Sequence, residues 1–166
     1  MRYRLDVVAS SVVDVVAFAG GWLFDRAMAG WDVTVLLTDH PDDRPLHILG
    51  ARTLDLEVAL ASVGARPKPQ ALAAAADLLG SDPRVRTGVL QALDNGVTEV
   101  TLWGQRWPAE LDDSVGLVQH RLSMAAQMFK ARALAAAGAE TAVGPSETFR
   151  SGLMAYPSVA ADLVPA

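Results

Sequence analysis

Residues 4–38 read RLDVVAS (4–10), SVVDVVAFAGGWLFDRAMAG (11–30), Trp31 and DVTVLLT (32–38), and this run decides the fold class. Leu5, Val7, Val8 and Ala9 follow one another almost without polar interruption, as in a short strand covered on both faces. Ser10-Ser11 then opens a helix that runs to about Gly30, and Val33, Val35, Leu36 and Leu37 form a second apolar run. Strand, helix and strand make a βαβ unit, whose crossover is right-handed.

Working outward, Asp39–Pro45 (DHPDDRP) is a polar, proline-bounded loop, and Leu46–Leu49 after it has the length of an edge strand. Thr53 or Asp55 caps a helix through Ala61, and Pro67 and Pro69 mark a turn. Gln70–Leu79 reads as a helix with Leu72, Ala75, Ala76 and Leu79 inward. Ser81-Asp82-Pro83 restarts a helix that ends at Asn95-Gly96. Val97–Trp103 is the fourth strand, and a long helix beginning at Asp112, Asp113 or Ser114 reaches Ala137. The expected architecture is a three-layer Rossmann-like α/β domain over residues 1–140, with a short, mainly parallel four-stranded sheet in the order 3-2-1-4. Residues 141–166 form a tail whose Phe149, Leu153, Met154 and Tyr156 suit docking on the body or on a neighbouring subunit.

Composition narrows the class. The chain has 166 residues, 51% hydrophobic and 20% charged, as in a globular domain that buries its own core. Cysteine is absent, which excludes a disulfide framework, a thiolate nucleophile and a thiolate metal site. Asp6 and Asp14 interrupt the apolar run that a signal peptide needs, and Val15–Phe24 is too short to span a bilayer. A cytoplasmic protein is the expectation. The net charge of -5 and scattered basic residues argue against nucleic acid as a partner. Alanine and arginine are favoured over lysine in the manner of a high-GC bacterial genome.

An order of 3-2-1-4 reverses the winding between the first and fourth strands, and ligands of open parallel sheets bind at the carboxyl ends there. That selects Ser10, Ser11, Asp14 and Asp39 beside the first two strands, and Gly104 and Arg106 after the fourth. Serines at a helix amino terminus hold an anion or simply cap the helix. Glycine permits close backbone approach, and Arg106 between Trp103 and Trp107 offers an anion partner. The glycine-rich dinucleotide fingerprint is missing, since Gly20-Gly21 falls inside the helix, and no Walker loop occurs. No cofactor is expected. Ser10 or Ser11 with His47 or His120 is an open pairing, without a Gly-x-Ser-x-Gly elbow to support it.

His40-Pro41-Asp42-Asp43 resembles the His-Pro-Asp-Asp stretch of the PIG-L-type zinc deacetylases. The resemblance covers four residues and implies zinc bound by His40 and Asp43, with Asp42 as base and a further ligand from His120. In that family the motif follows the first strand, continues with glutamate and leads into a helix with a Gly-Gly pair. Here Arg44-Pro45 follows, and the Gly-Gly helix comes earlier, after Ser11 and Asp14. A solvated acidic turn is the better account of the stretch, and no metal site is expected.

The first helix is apolar on two sides, with Val12, Val16, Ala19 and Leu23 on one and Val15, Phe18 and Trp22 on another. The surplus predicts self-association through Trp22, Phe129, Trp107 and Phe149. Three functions follow: a non-catalytic, self-associating interaction domain; a small-molecule site for an anionic or nucleotide-like ligand at the switch point; and a PIG-L-like zinc hydrolase.

Overall fold

The computed structural model describes residues 2–39, 42–62, 64–104, 106, 109–111, 115–152 and 162–166. The opening βαβ unit is β1 (Arg4–Ala9), α1 (Val12–Met28) and β2 (Asp32–Leu37). Then come α2 (Arg44–Ile48), β3 (Arg52–Asp55), α3 (Leu56–Ala61), β4 (Ala71–Ala75), α4 (Ala76–Ser81), α5 (Pro83–Asn95) and β5 (Glu99–Trp103). The chain closes with β6 (Gly116–Arg121), α6 (Met124–Ala136), β7 (Ser146–Ser151) and β8 (Val164–Pro165). A single eight-stranded sheet has the order β3-β2-β1-β4-β5-β7-β6-β8. Its first five strands are parallel, and β7, β6 and β8 extend it antiparallel.

Alternation along β1 explains the three layers. Leu5, Val7 and Ala9 join a core with α1, α2 and α6, whereas Val8 joins one with α3, α4 and α5. Both faces of the parallel strands are therefore covered, as the continuous apolar runs require. Caps also form where side chains offer them: Ser11 accepts from the Asp14 N–H, and Asp82 accepts from Arg84 ahead of Pro83. Gly96 ends α5 in the left-handed region at φ 66°.

Four sequence expectations are corrected. Leu46–Ile48 is helical, because Pro45 sits in the first turn and Leu46 points into the core, and Arg52–Asp55 is the edge strand instead. Ala71–Ala75 is a strand, since pairing with β1 on one side and β5 on the other overrides the helical propensity of alanine. The sheet therefore has eight strands where four were expected, and Val97–Trp103 lies one place further from β1. Gly116–Arg121 is a strand in what reads as one long helix, and the helix begins only at Met124, capped by Ser123. Its expected start at residues 112–114 lies outside the described residues. The presumed tail supplies β7, which is inserted between β5 and β6, and the edge strand β8. Leu153, Met154 and Tyr156 lie outside the described residues.

One buried ion pair ties these parts together. Lys130 Nζ on α6 lies 2.8 Å from Glu147 Oε2 on β7, and both side chains are enclosed. Glu147 also accepts from the Gly21 and Trp22 N–H groups at 2.8 and 2.7 Å, while Lys130 donates to the Ala17 carbonyl at 2.8 Å. The pair is thus set into the hydrogen-bond ladder of α1. Gly20-Gly21 lets apolar side chains close on α1 beside it. A Cβ on Gly21 would stand 2.2 Å from Leu122 Cδ2, and one on Gly20 would stand 3.3 Å from Leu49 Cδ1. Burial pushes the Glu147 carboxyl above its ordinary range, opposed by Lys130 and the two N–H donors.

Removing one member of such a pair leaves the other charge buried and unpaired. Lys130→Met is expected to cost about 3 to 5 kcal/mol of unfolding free energy in urea titrations. Adding Glu147→Gln, which removes the stranded charge, should restore part of that loss. Equal losses in the single and double variants would show that the charge pairing is not the stabilising contact.

Candidate functional site

In the observed strand order the winding reverses between β1 and β4, so the crevice opens between the turn after β1 and the start of α4. Ser11 is occupied as a cap, its Oγ accepting from the Asp14 N–H at 3.2 Å. The Ser10 carbonyl accepts from the Thr38 hydroxyl at 3.3 Å, which joins the ends of β1 and β2. Asp14, one turn into α1, projects across the crevice and accepts from the buried Trp103 Nε1 at 3.1 Å. Gly104 follows with φ 120°, a conformation that favours glycine, and its missing side chain leaves the backbone close to Ala76.

Two clefts flank the amino terminus of α1. The one at the switch point has a volume of about 230 Å³ and is lined by Asp14, Phe18, Asp77, Trp103, Gly104 and Arg106. The other, of about 260 Å³, lies over β1 and β2 between Ser11, Val12, Val13, Asp39, Asp42 and Ala136. The structure thus brings Asp14, Gly104 and Arg106 to one cleft and Ser11 and Asp39 to the other. Asp77 was missed by sequence reasoning. It is the second residue after the alanine strand, and would have been found had Ala71–Ala75 been read as extended.

The first cleft is acidic on one wall. Burial pushes the Asp14 carboxyl above its ordinary range; the Trp103 hydrogen bond opposes this, and the nearby Asp77 carboxylate adds to it. A carboxyl desolvated beside a second carboxyl, in a crevice at the strand ends, has the features of a ligand-binding group.

Residues of the zinc reading are placed differently. His40 lies outside the described residues. Asp42 is gripped by Arg44 through paired contacts of 2.9 and 2.7 Å, and this hydrogen bonding holds its carboxyl at about 2. Asp43 accepts from the Thr53 hydroxyl, which lowers its carboxyl, and stands 3.3 Å from His47 Nε2. His120 is buried on β6 and bonded to Asp25 and to the Asp162 carbonyl. It joins neither this turn nor Ser10 or Ser11, which also removes the serine–histidine pairing. Among the described residues, no three His, Asp or Glu side chains converge in a way that could hold a metal ion.

The interface residues are redistributed as well. Trp22 and Phe149 pack on each other inside the chain, ring centroids 5.1 Å apart, so no second copy can reach them. The second face of α1 is covered by α6 and β7 of the same chain. Phe129 stacks on Phe24 with centroids 4.6 Å apart and stays partly exposed; Trp107 lies outside the described residues.

No protein-family model and no curated protein sequence matches the chain. Among solved structures it is similar to the A40926 pseudoaglycone deacetylase Dbv21, with a TM-score of 0.61 at 16% identity over 90% of this chain and 97% of that one. The zinc-inhibited form of the teicoplanin deacetylase Orf2 gives 0.58 at 15% identity, over 89% and 97%. A deacetylase–teicoplanin complex gives 0.57 at 14%, over the same shares. The fold is shared with deacetylases.

The zinc reading of the His-Pro-Asp-Asp stretch can be tested against the donors present. The turn after β1, which leads into the Gly-Gly helix, reads Ser10-Ser11-Val12-Val13-Asp14. Valines and serines are not zinc ligands, and Asp14 is the lone carboxylate of that turn. The His-Pro-Asp-Asp stretch stands instead at the end of β2, with Asp42 and Asp43 already bonded to Arg44 and Thr53. Among the described residues, no set of donors fits the metal.

A raised carboxyl has a definite linkage sign. Between the ordinary carboxylate value and the higher folded value, the native state binds more protons than the unfolded one, so stability falls as pH rises through that window and is level above it. Asp14→Asn should remove this component, read as the difference between wild-type and variant urea stabilities from acidic to neutral pH. A difference independent of pH would place the titration on another group.

Proposed function

We propose that the chain is a metal-independent binding domain on the deacetylase fold, holding a small molecule at the switch point between β1 and β4. The observation that carries this reading is the turn after β1, where Val12 and Val13 stand before Asp14 and no imidazole is present. The strand ends form a crevice that no set of metal donors lines among the described residues, and a fold hosts whatever chemistry its site residues supply. Those residues are Asp14 and Asp77 on one wall, the half-exposed ring of Phe18, and Arg106 at the rim. Two carboxylates beside an aromatic ring suit an ammonium group, and Arg106 suits an anionic group on the same ligand. A small zwitterionic amine is the class that matches both.

The test is calorimetry and thermal shift with a panel of amino acids and amino sugars, with and without zinc or a chelator. Wild type should be stabilised by a zwitterion irrespective of chelator, Asp14→Asn should lose binding at least about tenfold, and Arg106→Ala should weaken it by about 1 to 3 kcal/mol. Stoichiometric zinc that disappears when His40 and Asp43 are both replaced by alanine would overturn the reading in favour of a zinc hydrolase.

Self-association is a second reading, supported by the exposed Met124 and Met128, one turn apart on α6, and the partly exposed Phe129 beside them. A symmetric dimer through that face is dissociated by Phe129→Glu, because a carboxylate buried without a partner costs several kcal/mol. Light scattering that finds wild type and variant both monomeric at micromolar concentration would remove it.

A further inference from the structure

The pole opposite the switch-point crevice carries another cavity. It lies at the amino ends of β1 and β4, has a volume of about 360 Å³ and is lined by Asp6, Ala59, Arg66, Pro67, Lys68 and Pro69. Alternation sets its floor, because Asp6 shares a face of β1 with Val8, which packs in the core beneath α3, α4 and α5. The six residues of α3 make about 9 Å of helix, whereas the six of β1 extend about 20 Å. The helix therefore stops short of the amino ends of the strands. The chain returns to β4 through a loop in which Pro67 and Pro69 restrict the backbone on either side of Lys68.

Asp6 is buried, and its two oxygens accept from Nη1 and Nη2 of Arg66 at 3.2 Å each. This fork fixes the guanidinium on the cavity wall and engages two of its five N–H donors, leaving the others to what enters. Lys68 is exposed on the same lining and has no carboxylate partner among the described residues. Arg4 stands two residues before Asp6 on the same face of β1 and also has no carboxylate partner among the described residues; its Nε is buried without an acceptor. Asp32, in register with Arg4 on β2, is held by Arg2 at 3.1 Å. Arg4, Arg66 and Lys68 against Asp6 leave an excess of two positive charges at this pole, in a chain whose net charge is -5. Uncompensated cations gathered on one cavity attract an anion.

We propose that this cavity binds a small organic phosphate, whose oxygens Arg66 and Lys68 hold while Arg4 adds charge from the floor and Ala59, Pro67 and Pro69 pack on its apolar body. A phosphate monoester carries close to two negative charges near neutral pH, which matches the excess, and its oxygens accept several charge-assisted N–H bonds at once. A carboxylate brings one charge. The volume is that of a small-ligand site, and the apolar residues among the lining suit the organic part. The site is at the other ends of the strands from the switch-point crevice and is independent of what binds there.

Amide chemical-shift mapping tests this with phenyl phosphate, benzoate and phenol at constant ionic strength and about pH 7.5, where the phosphate is largely dianionic. Phenyl phosphate should bind saturably with a Kd of about 1 mM or tighter and shift the amides of Gly64, Arg66 and Lys68. Benzoate should bind at least about tenfold more weakly, and phenol should leave these amides in place. Lys68→Ala, a change at an exposed side chain, should weaken phenyl phosphate at least about fivefold. Arg132→Gln, at an exposed arginine of α6, should leave the affinity unchanged. No saturable shift at the three amides overturns the proposal, as does equal affinity for benzoate. Unchanged binding in Lys68→Ala, or equal losses in the Lys68 and Arg132 variants, overturns it as well, since the attraction is then not located in the cavity.

Discussion

The Lys130–Glu147 pair is the constraint around which the chain is assembled, because it joins a helix, a second helix and an antiparallel strand through a buried charge pair that also bonds the backbone of α1. Gly21 and Trp22 donate to Glu147 from within α1, and Ala17 accepts from Lys130 one turn earlier. Breaking the pair would strand a charge and leave helical backbone groups unpaired at once. The Gly20-Gly21 dipeptide answers a packing demand beside the pair. A glycine in a helix interior costs roughly 1 kcal/mol against alanine, a small cost beside the collision that a Cβ on Gly21 would make with Leu122.

A second buried network continues from the same helix. Arg26 is fully enclosed, its guanidinium 4.9 and 4.2 Å from the ring centroids of Trp22 and Trp31, and it reaches Glu99 on β5 and Asp162 near the carboxyl terminus. Hydrogen bonding to Asp162 and the charge of Glu99 outweigh burial and push the guanidinium further up. Planarity explains the choice of residue, since an arginine can stack on two indoles and still present its N–H edge to two carboxylates. The sequence segment read as a tail is consequently bound into the fold at three levels: β7 through Glu147, Asp162 through Arg26, and β8 through the edge of β6.

What could be read from the sequence depended on whether a local pattern carried the information. The unit β1–α1–β2 was legible because its strands are continuous apolar runs and its helix is capped by Ser11. The alanine strand was not, since nothing in ALAAA distinguishes it from a helix until β1 and β5 flank it. Gly116–Arg121 was hidden for the opposite reason. Leu117 is exposed and His120 buried, so its apolar and inward residues do not coincide. Within the site, Ser11, Asp14 and Gly104 follow from the rule that ligands bind at strand ends, whereas Asp77 depends on a strand that was not seen. The Lys130–Glu147 pair and the His120 contacts span 95 to 126 residues of chain where they reach α1, and no local spacing announces them.

Likeness of fold and difference of site have to be weighed together. A TM-score of 0.61 at 16% identity is a statement about how strands and helices are arranged, and the arrangement creates a crevice whatever lines it. Chemistry comes from the lining. A metal hydrolase requires donors preorganised on one point, and here the position after β1 offers hydroxyls and aliphatic groups, while the carboxylates at the end of β2 are neutralised by Arg44 or bonded to Thr53. Asp14 differs from them: among the described residues its side chain is bonded by an indole N–H, and it lines the cleft at the switch point. A half-buried carboxyl beside a second carboxylate is a setting in which the lining, and not the arrangement of strands, decides what chemistry a crevice can hold.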